Sequence, residues 1–206
     1  MIRTTLYEAC QGVRNRFVVT GAPGSGKTPI LRELVRLGFI GVNEPAREIL
    51  AEQRAIGGNR VYDKDPQLFC DLMLERAIAA YQRLGDAGEP AFFDRGIPDM
   101  VGYAELFALD TAAALAASRR YRYDDVVFVL PPWPEIYVTD ADRRMSFEAA
   151  RAFGERVREV YRDLGYRIVE VPRDSVETRT RFIAEHVRCD DANRTVGADL
   201  SGTEPR

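Results

Sequence analysis

Gly21-Ala22-Pro23-Gly24-Ser25-Gly26-Lys27-Thr28 fits the spacing G-x-x-x-x-G-K-[ST]. Its glycines let the backbone curl so that successive N–H groups point inward, the geometry that cradles phosphate oxygens. Lys27 then reaches the β- and γ-phosphates of a nucleotide, and the Thr28 hydroxyl is placed to ligate Mg²⁺. The helix expected to follow presents its positive dipole end to the same site.

The flanks agree with this reading. Arg16-Phe17-Val18-Val19-Thr20 is a short apolar run that predicts a buried strand. After the loop, Ile30, Leu31, Leu34 and Leu37 fall on one helical face, and Gly38 stops the helix. Pro29 lies in the first helical turn, where a missing N–H costs little. Strand, glycine loop and helix in that order mark a nucleotide phosphate site rather than a chance turn.

Outward from the loop the chain alternates strands and helices. The apolar runs predict strands at 39–44, 91–94, 125–130 and 167–171. Helical periodicity covers about 45–55, 66–84, 98–120 with a break near Leu109-Asp110, 146–164 and 176–188. Asp65-Pro66 reads as an N-cap followed by a first-turn proline. Five strands alternating with helices predict an α/β, three-layer sandwich around a parallel sheet. The fourth strand, apolar along nearly its whole length, is what burial on both sheet faces produces. Residues 1–15 read as a lead-in, 16–188 as one domain and 189–206 as a polar, disordered tail.

Composition narrows the classes. The chain has 206 residues, 46% hydrophobic and 30% charged, with net charge −3, so a broad basic surface for nucleic acid is not expected. Cys10, Cys70 and Cys189 show no CxxC spacing and read as reduced thiols. His186 is the single histidine, which argues against a histidine-based metal site or a Ser-His-Asp triad, and a structural or surface place in the last helix is expected. No signal-peptide core or membrane-length run appears, so the expected location is cytoplasmic.

Ligands in open parallel sheets bind beyond the carboxyl ends of the strands, so polar residues there carry weight. Asp94 ends the third strand and suits either a Mg²⁺ ligand or the base that takes a proton from an attacking hydroxyl. Its neighbour Arg95 suits an acceptor or phosphate contact; a salt bridge or helix cap is the structural alternative for the pair. Glu44 can bind an acceptor hydroxyl or stabilise a helix N-terminus, and Arg47 one turn later can bind an anionic group. Trp133 and Tyr137 either line a pocket or pack their loop. Arg143 and Arg144, on the Pro- and charge-rich loop after the fourth strand, suit a lid that brings positive charge to a transferring phosphoryl group. Asp174 or Ser175 is a good N-cap and also lies where a nucleotide base can reach.

Five stretches together, GAPGSGKT, VNEPAREIL, FFDRGIPD, VVFVLPPWPEIY and TDADRRMSFEAA, resemble the small P-loop group labelled AAA domain that includes the ribosylnicotinamide kinase portion of NadR. The resemblance spans about 16–188. It implies a kinase-type sheet in the order 2-3-1-4-5 and Mg-nucleotide binding, without fixing one substrate. No second acid stands beside Asp94 and no helical lid domain follows, unlike a hexameric AAA+ motor. The adenylyltransferase domain that precedes the kinase portion in NadR is absent from this sequence. The expected activity is ATP-dependent phosphoryl transfer to a small hydroxyl-bearing metabolite or nucleoside. In that reading Lys27, Asp94, Arg143 and Arg144 are catalytic, and Glu44, Arg47 and Arg95 shape the acceptor site. A nucleotide-dependent switch or slow NTPase acting on a protein partner is the alternative, and a binding protein without catalysis a third. The guanine-reading N-K-x-D motif is absent, so ATP is the expected nucleotide, with GTP open.

Overall fold

A computed structural model describes residues 15–85, 89–139 and 145–199, with side chains through 187. Its strands are β1 (Arg16–Gly21), β2 (Ile40–Val42), β3 (Ala91–Asp94), β4 (Val126–Leu130) and β5 (Arg167–Glu170). The helices are α1 (Lys27–Arg36), α2 (Pro45–Ala55), α3 (Pro66–Arg83), α4 (Asp99–Leu106), α5 (Ala112–Arg120), α6 (Phe147–Asp163) and α7 (Val176–Asp199). All strand pairs are parallel, in the order β2-β3-β1-β4-β5. This is the expected three-layer P-loop architecture.

Alternation along the central strands β1, β3 and β4 explains why they are largely apolar. Phe17, Val19, Phe92, Phe128 and Leu130 pack on α1 and α7 through Ile30, Leu34 and Ile183. The intervening Val18, Phe93, Val127 and Val129 face the opposite layer, against Phe153, Val157 and Tyr161 of α6. The side chains of β1, β3 and β4 are therefore buried on one face or the other, worth roughly 1.5–3 kcal/mol for each large apolar group, while the edge strands β2 and β5 are only partly buried. A third cluster of Ile49, Phe69, Met73, Met100 and Val101 joins α2, α3 and α4 beside the sheet.

Local signals account for most boundaries. The Asp65 side chain accepts from Leu68 N at 3.0 Å, capping α3 ahead of Pro66. Ser146 caps α6 in the same way through Ala149 N. The helical stretch at 98–120 divides at Leu109-Asp110, where Ala108 adopts φ 54°. Two boundaries differ from expectation. β2 ends at Val42, so Glu44 is the N-cap of α2 rather than a strand residue. α7 runs to Asp199 and so passes the expected domain boundary at Arg188. His186 packs on Phe182 and Phe128, the structural role expected of it. Cys70 is free and buried, and burial pushes its thiol up to about 11. No helix of the described residues is long and apolar enough to cross a membrane.

Candidate active site

The β1–α1 loop is shaped by two close approaches. Gly21 has φ 127°, and a Cβ there would lie 2.2 Å from the Leu130 carbonyl oxygen of the neighbouring strand. Gly26 has φ 90° and caps α1 in the left-handed region, which a side chain would strain. Between them the loop closes through Ser25 N donating to Ala22 O at 3.2 Å. The result is a tight turn directly ahead of a helix N-terminus.

Lys27 is buried, 6% exposed, and its ammonium curls back into that loop. Nζ donates to Ala22 O at 3.0 Å and more weakly to Gly21 O at 3.4 Å. Burial, with the nearby Arg95 charge, pulls its pKa down to about 8. Thr28, the next residue, donates its hydroxyl to Asp94 Oδ2 at 3.0 Å. Asp94 is 3% exposed and its Oδ1 has no hydrogen-bond partner. Burial raises the Asp94 pKa, and Lys27 only partly offsets this. The residues expected to meet from β1, α1 and β3 therefore do meet.

A buried network stands on the other side of Lys27. Arg95 takes φ 68°, and its side chain is 2% exposed. Nε donates to Glu44 Oε1 at 2.8 Å, and Nη1 donates to Asp99 Oδ1 at 2.9 Å and to Gly21 O at 3.2 Å. Asp99 is fully buried and also accepts from Thr20 Oγ1 at 2.5 Å, Gly96 N at 3.0 Å and Tyr161 OH at 2.7 Å. Tyr103 OH donates to Glu44 Oε1 at 2.7 Å. Both of these Glu44 bonds fall on Oε1. Burial raises the Glu44 pKa, but Arg95 and Lys27 outweigh it and hold the carboxyl below its usual value.

This arrangement revises one expectation. Arg95 reaches the site, but its guanidinium is committed to two carboxylates and a loop carbonyl, which makes it a support for Glu44. Although Glu44 occupies the N-cap position of α2, its carboxylate makes no capping hydrogen bond there. Asp99 and Tyr103 are the functional-site neighbours that sequence reasoning passes over. The i,i+4 spacing of Arg95 and Asp99 was the available signal. Arg143 and Arg144 lie outside the described residues. Tyr137 packs on Phe147, and Trp133 packs under the Arg179 guanidinium. Ser175 caps α7 by accepting from Thr178 N, while Arg173 donates to Pro132 O.

The loop and the network face one cleft of about 820 Å³. Its lining combines polar Lys27, Thr28, Glu44 and Arg47 with apolar Leu50, Tyr62, Phe69, Phe107 and Phe153. A smaller hollow of about 560 Å³ between β2 and α3 contains no residue of the phosphate loop.

The donor set suits a hard, oxygen-loving cation. Thr28 and Asp94 offer adjacent oxygens, and Asp94 Oδ1 is an orphaned buried acceptor. Among the described residues no group of three or more His, Cys, Asp and Glu could hold a metal alone. A Mg²⁺ ion here would draw its remaining ligands from phosphate and water, as this ion commonly does.

Comparison with known proteins agrees with the architecture. A protein-family profile described as AAA domain matches residues 16–179. Among solved structures, NadR protein in complex with NR superposes with TM-score 0.62 at 22% identity, covering 85% of this chain and 51% of that one. Deoxyadenosine kinase from M. mycoides gives TM-score 0.58 at 18% identity, covering 84% of this chain and 98% of that one. Shikimate kinase from Acinetobacter baumannii in complex with shikimate gives 0.54 at 15%, covering 90% and 98%. The chain spans about half the length of the NadR chains it resembles. At identities this low the likeness speaks for the fold alone. A search of curated proteins finds no match.

Proposed function

The chain belongs to the AAA domain family, and we propose that it is an ATP-dependent phosphotransferase acting on a small hydroxyl-bearing acceptor. The observation that carries this reading is the Thr28–Asp94 contact beside Lys27, at a cleft that Lys27, Thr28 and Glu44 line together. The nucleotide polyphosphate lies on residues 21–28, with Lys27 exchanging its loop carbonyls for phosphate oxygens. Thr28 and Asp94 are the residues that would hold Mg²⁺, which would neutralise charge on the phosphates. Asp94, already tied to Thr28, is thereby assigned to the metal rather than to proton abstraction.

Glu44 takes the acceptor side. Arg95 and Tyr103 fix Oε1, so Oε2 is presented to the cleft, where it accepts a hydrogen bond from the acceptor hydroxyl and lines up its oxygen. The acceptor oxygen bonds to the γ-phosphorus as the bond to the β-phosphate oxygen breaks, ADP leaves, and the hydroxyl proton passes to solvent or Glu44. Arg47 and the apolar wall contact the rest of the acceptor. Arg143 and Arg144 supply positive charge to the transferring group, as lid residues in their position suit. The same fold carries a deoxyadenosine kinase and a shikimate kinase, so the architecture is compatible with transfer to a small hydroxyl compound.

Mass spectrometry of metabolites incubated with Mg-ATP tests the reading. A compound gaining one phosphoryl group, with loss of the product in Lys27→Ala, is the expected result. ATP hydrolysis without any phosphorylated product would instead mark a nucleotide-dependent switch or slow NTPase.

A further inference from the structure

Arg179 is a buried cation in a place that the chemistry above leaves unexplained. It lies on α7, 4% exposed, and no carboxylate is within ion-pair distance among the described residues. Nη1 donates to Ser25 O at 2.9 Å across 154 residues of sequence. Nη1 and Nη2 lie 3.0 and 3.1 Å from where a Cβ on Gly26 would stand, so the guanidinium is pressed against the phosphate loop. Its centre sits 5.2 Å from the Trp133 ring centroid. Arg179 Nε has no hydrogen-bond partner, and neither does the buried Ser25 Oγ beside it.

Asp174 exerts only a longer-range attraction on it, and a buried charge that lacks a direct ion pair is costly unless something compensates it. The peptide that Arg179 touches offers the compensation. Ser25 C=O and Gly26 N–H belong to one planar trans unit, so they point in opposite directions. With the carbonyl turned toward Arg179, the N–H turns away from it, toward the side where Gly26 lines the cleft. A donor on the carbonyl also polarises the unit and makes that N–H a stronger donor. We propose that Arg179 is a positioning residue for nucleotide binding, orienting and polarising the Ser25–Gly26 peptide toward the polyphosphate while Trp133 holds the guanidinium in place. The inference rests on the reading of 21–28 as the phosphate site.

Calorimetric titration of the full chain with ATP, inorganic tripolyphosphate and AMP separates the possibilities, with melting temperatures measured in parallel. Arg179→Met is expected to weaken ATP and tripolyphosphate by about tenfold, the scale of one charge-assisted hydrogen bond. AMP, which carries less charge to the loop, is expected to weaken less. Arg179→Lys, which keeps the charge but loses the planar fork, recovers only part of the loss. Trp133→Leu shifts affinity in the same direction. Wild type failing to bind ATP, or Lys27→Ala binding as wild type does, would overturn the phosphate-site reading itself. Normal behaviour of those two, with Arg179→Met binding tripolyphosphate as tightly as wild type, would overturn this inference alone. Equal losses for AMP and ATP would reduce Arg179 to a structural role and also overturn it. Should Arg179→Met fail to fold, Arg179→Lys and Trp133→Leu decide the question, and wild-type affinity in both rejects the proposal.

Discussion

Lys27 holds its proton weakly in the buried phosphate loop. Burial brings its pKa to about 8, against 10.5 for an ordinary lysine. A polyphosphate replaces neutral carbonyls with negative oxygens and so raises that pKa. Around pH 8 ATP binding therefore takes up a proton, whereas near pH 6 Lys27 is already charged in both states and none is taken up. Affinity accordingly falls as pH rises through about 8. Calorimetry in two buffers of different ionisation enthalpy measures the uptake, and Lys27→Arg is expected to abolish it, since a guanidinium stays charged. Asp94 predicts a different dependence. Asp94→Asn keeps the shape but removes the charge that would hold a cation. Metal-free ATP binding is expected to survive, while Mg²⁺-dependent turnover falls by a hundredfold or more, on the order of other electrostatic deletions. Titrating ATP with and without Mg²⁺ checks the first part and steady-state kinetics the second. Lys27, Thr28 and Asp94 were legible in the sequence because spacing and strand-end position identify them. Asp99 and Arg179 were not: one looks like any acid starting a helix, and the other meets its partner 154 residues away.

Helices and strands meet at the loop through contacts that tolerate little change. Asp99 joins β1, the β3–α4 turn, α4 and α6 through Thr20, Gly96, Arg95 and Tyr161. Asp99→Ala strips Arg95 of one of its two carboxylates while leaving it buried. A stability loss of about 3–5 kcal/mol is expected, the scale for breaking a buried ion pair, measured as a lower urea midpoint at unchanged slope. Because Arg95 also fixes Glu44, a partial retreat of that carboxylate would raise the KM for the acceptor. Gly154 of α6 presses on the loop from another direction: a Cβ there would lie 2.8 Å from Ala22 Cα and Ala22 N. Gly154→Val is expected to push the helix or the loop aside and weaken ATP binding several-fold while circular dichroism stays helical. Periodicity, caps and strand composition disclosed these elements, including the break at Leu109-Asp110. The packing of α6 on the loop was invisible, since a glycine in a helix pattern carries no sign of what approaches it.

The parallel sheet decides where the chemistry sits. With the order β2-β3-β1-β4-β5, the ends of β1 and β3 are neighbours, and the segment after β2 arrives beside them. Thr28 and Glu44, which line one cleft, and Asp94, bonded to Thr28, are distant in sequence and are thus brought together by the strand order. The alternation of strands and helices made the layers legible, and the strand order followed from family resemblance rather than from any single segment. At the scale of the molecule, a ligand that binds only the folded chain stabilises it by about 2.7 kcal/mol at a hundred times its Kd. Mg-ATP is therefore expected to raise the melting temperature, with the shift lost in Lys27→Ala. The most direct test of the account follows the phosphoryl group itself. Protein incubated with γ-labelled ATP, Mg²⁺ and a pool of small hydroxyl compounds should move the label onto one organic acceptor, and Lys27→Ala and Glu44→Gln should not. Label appearing only as inorganic phosphate, with every acceptor unmodified, would contradict it.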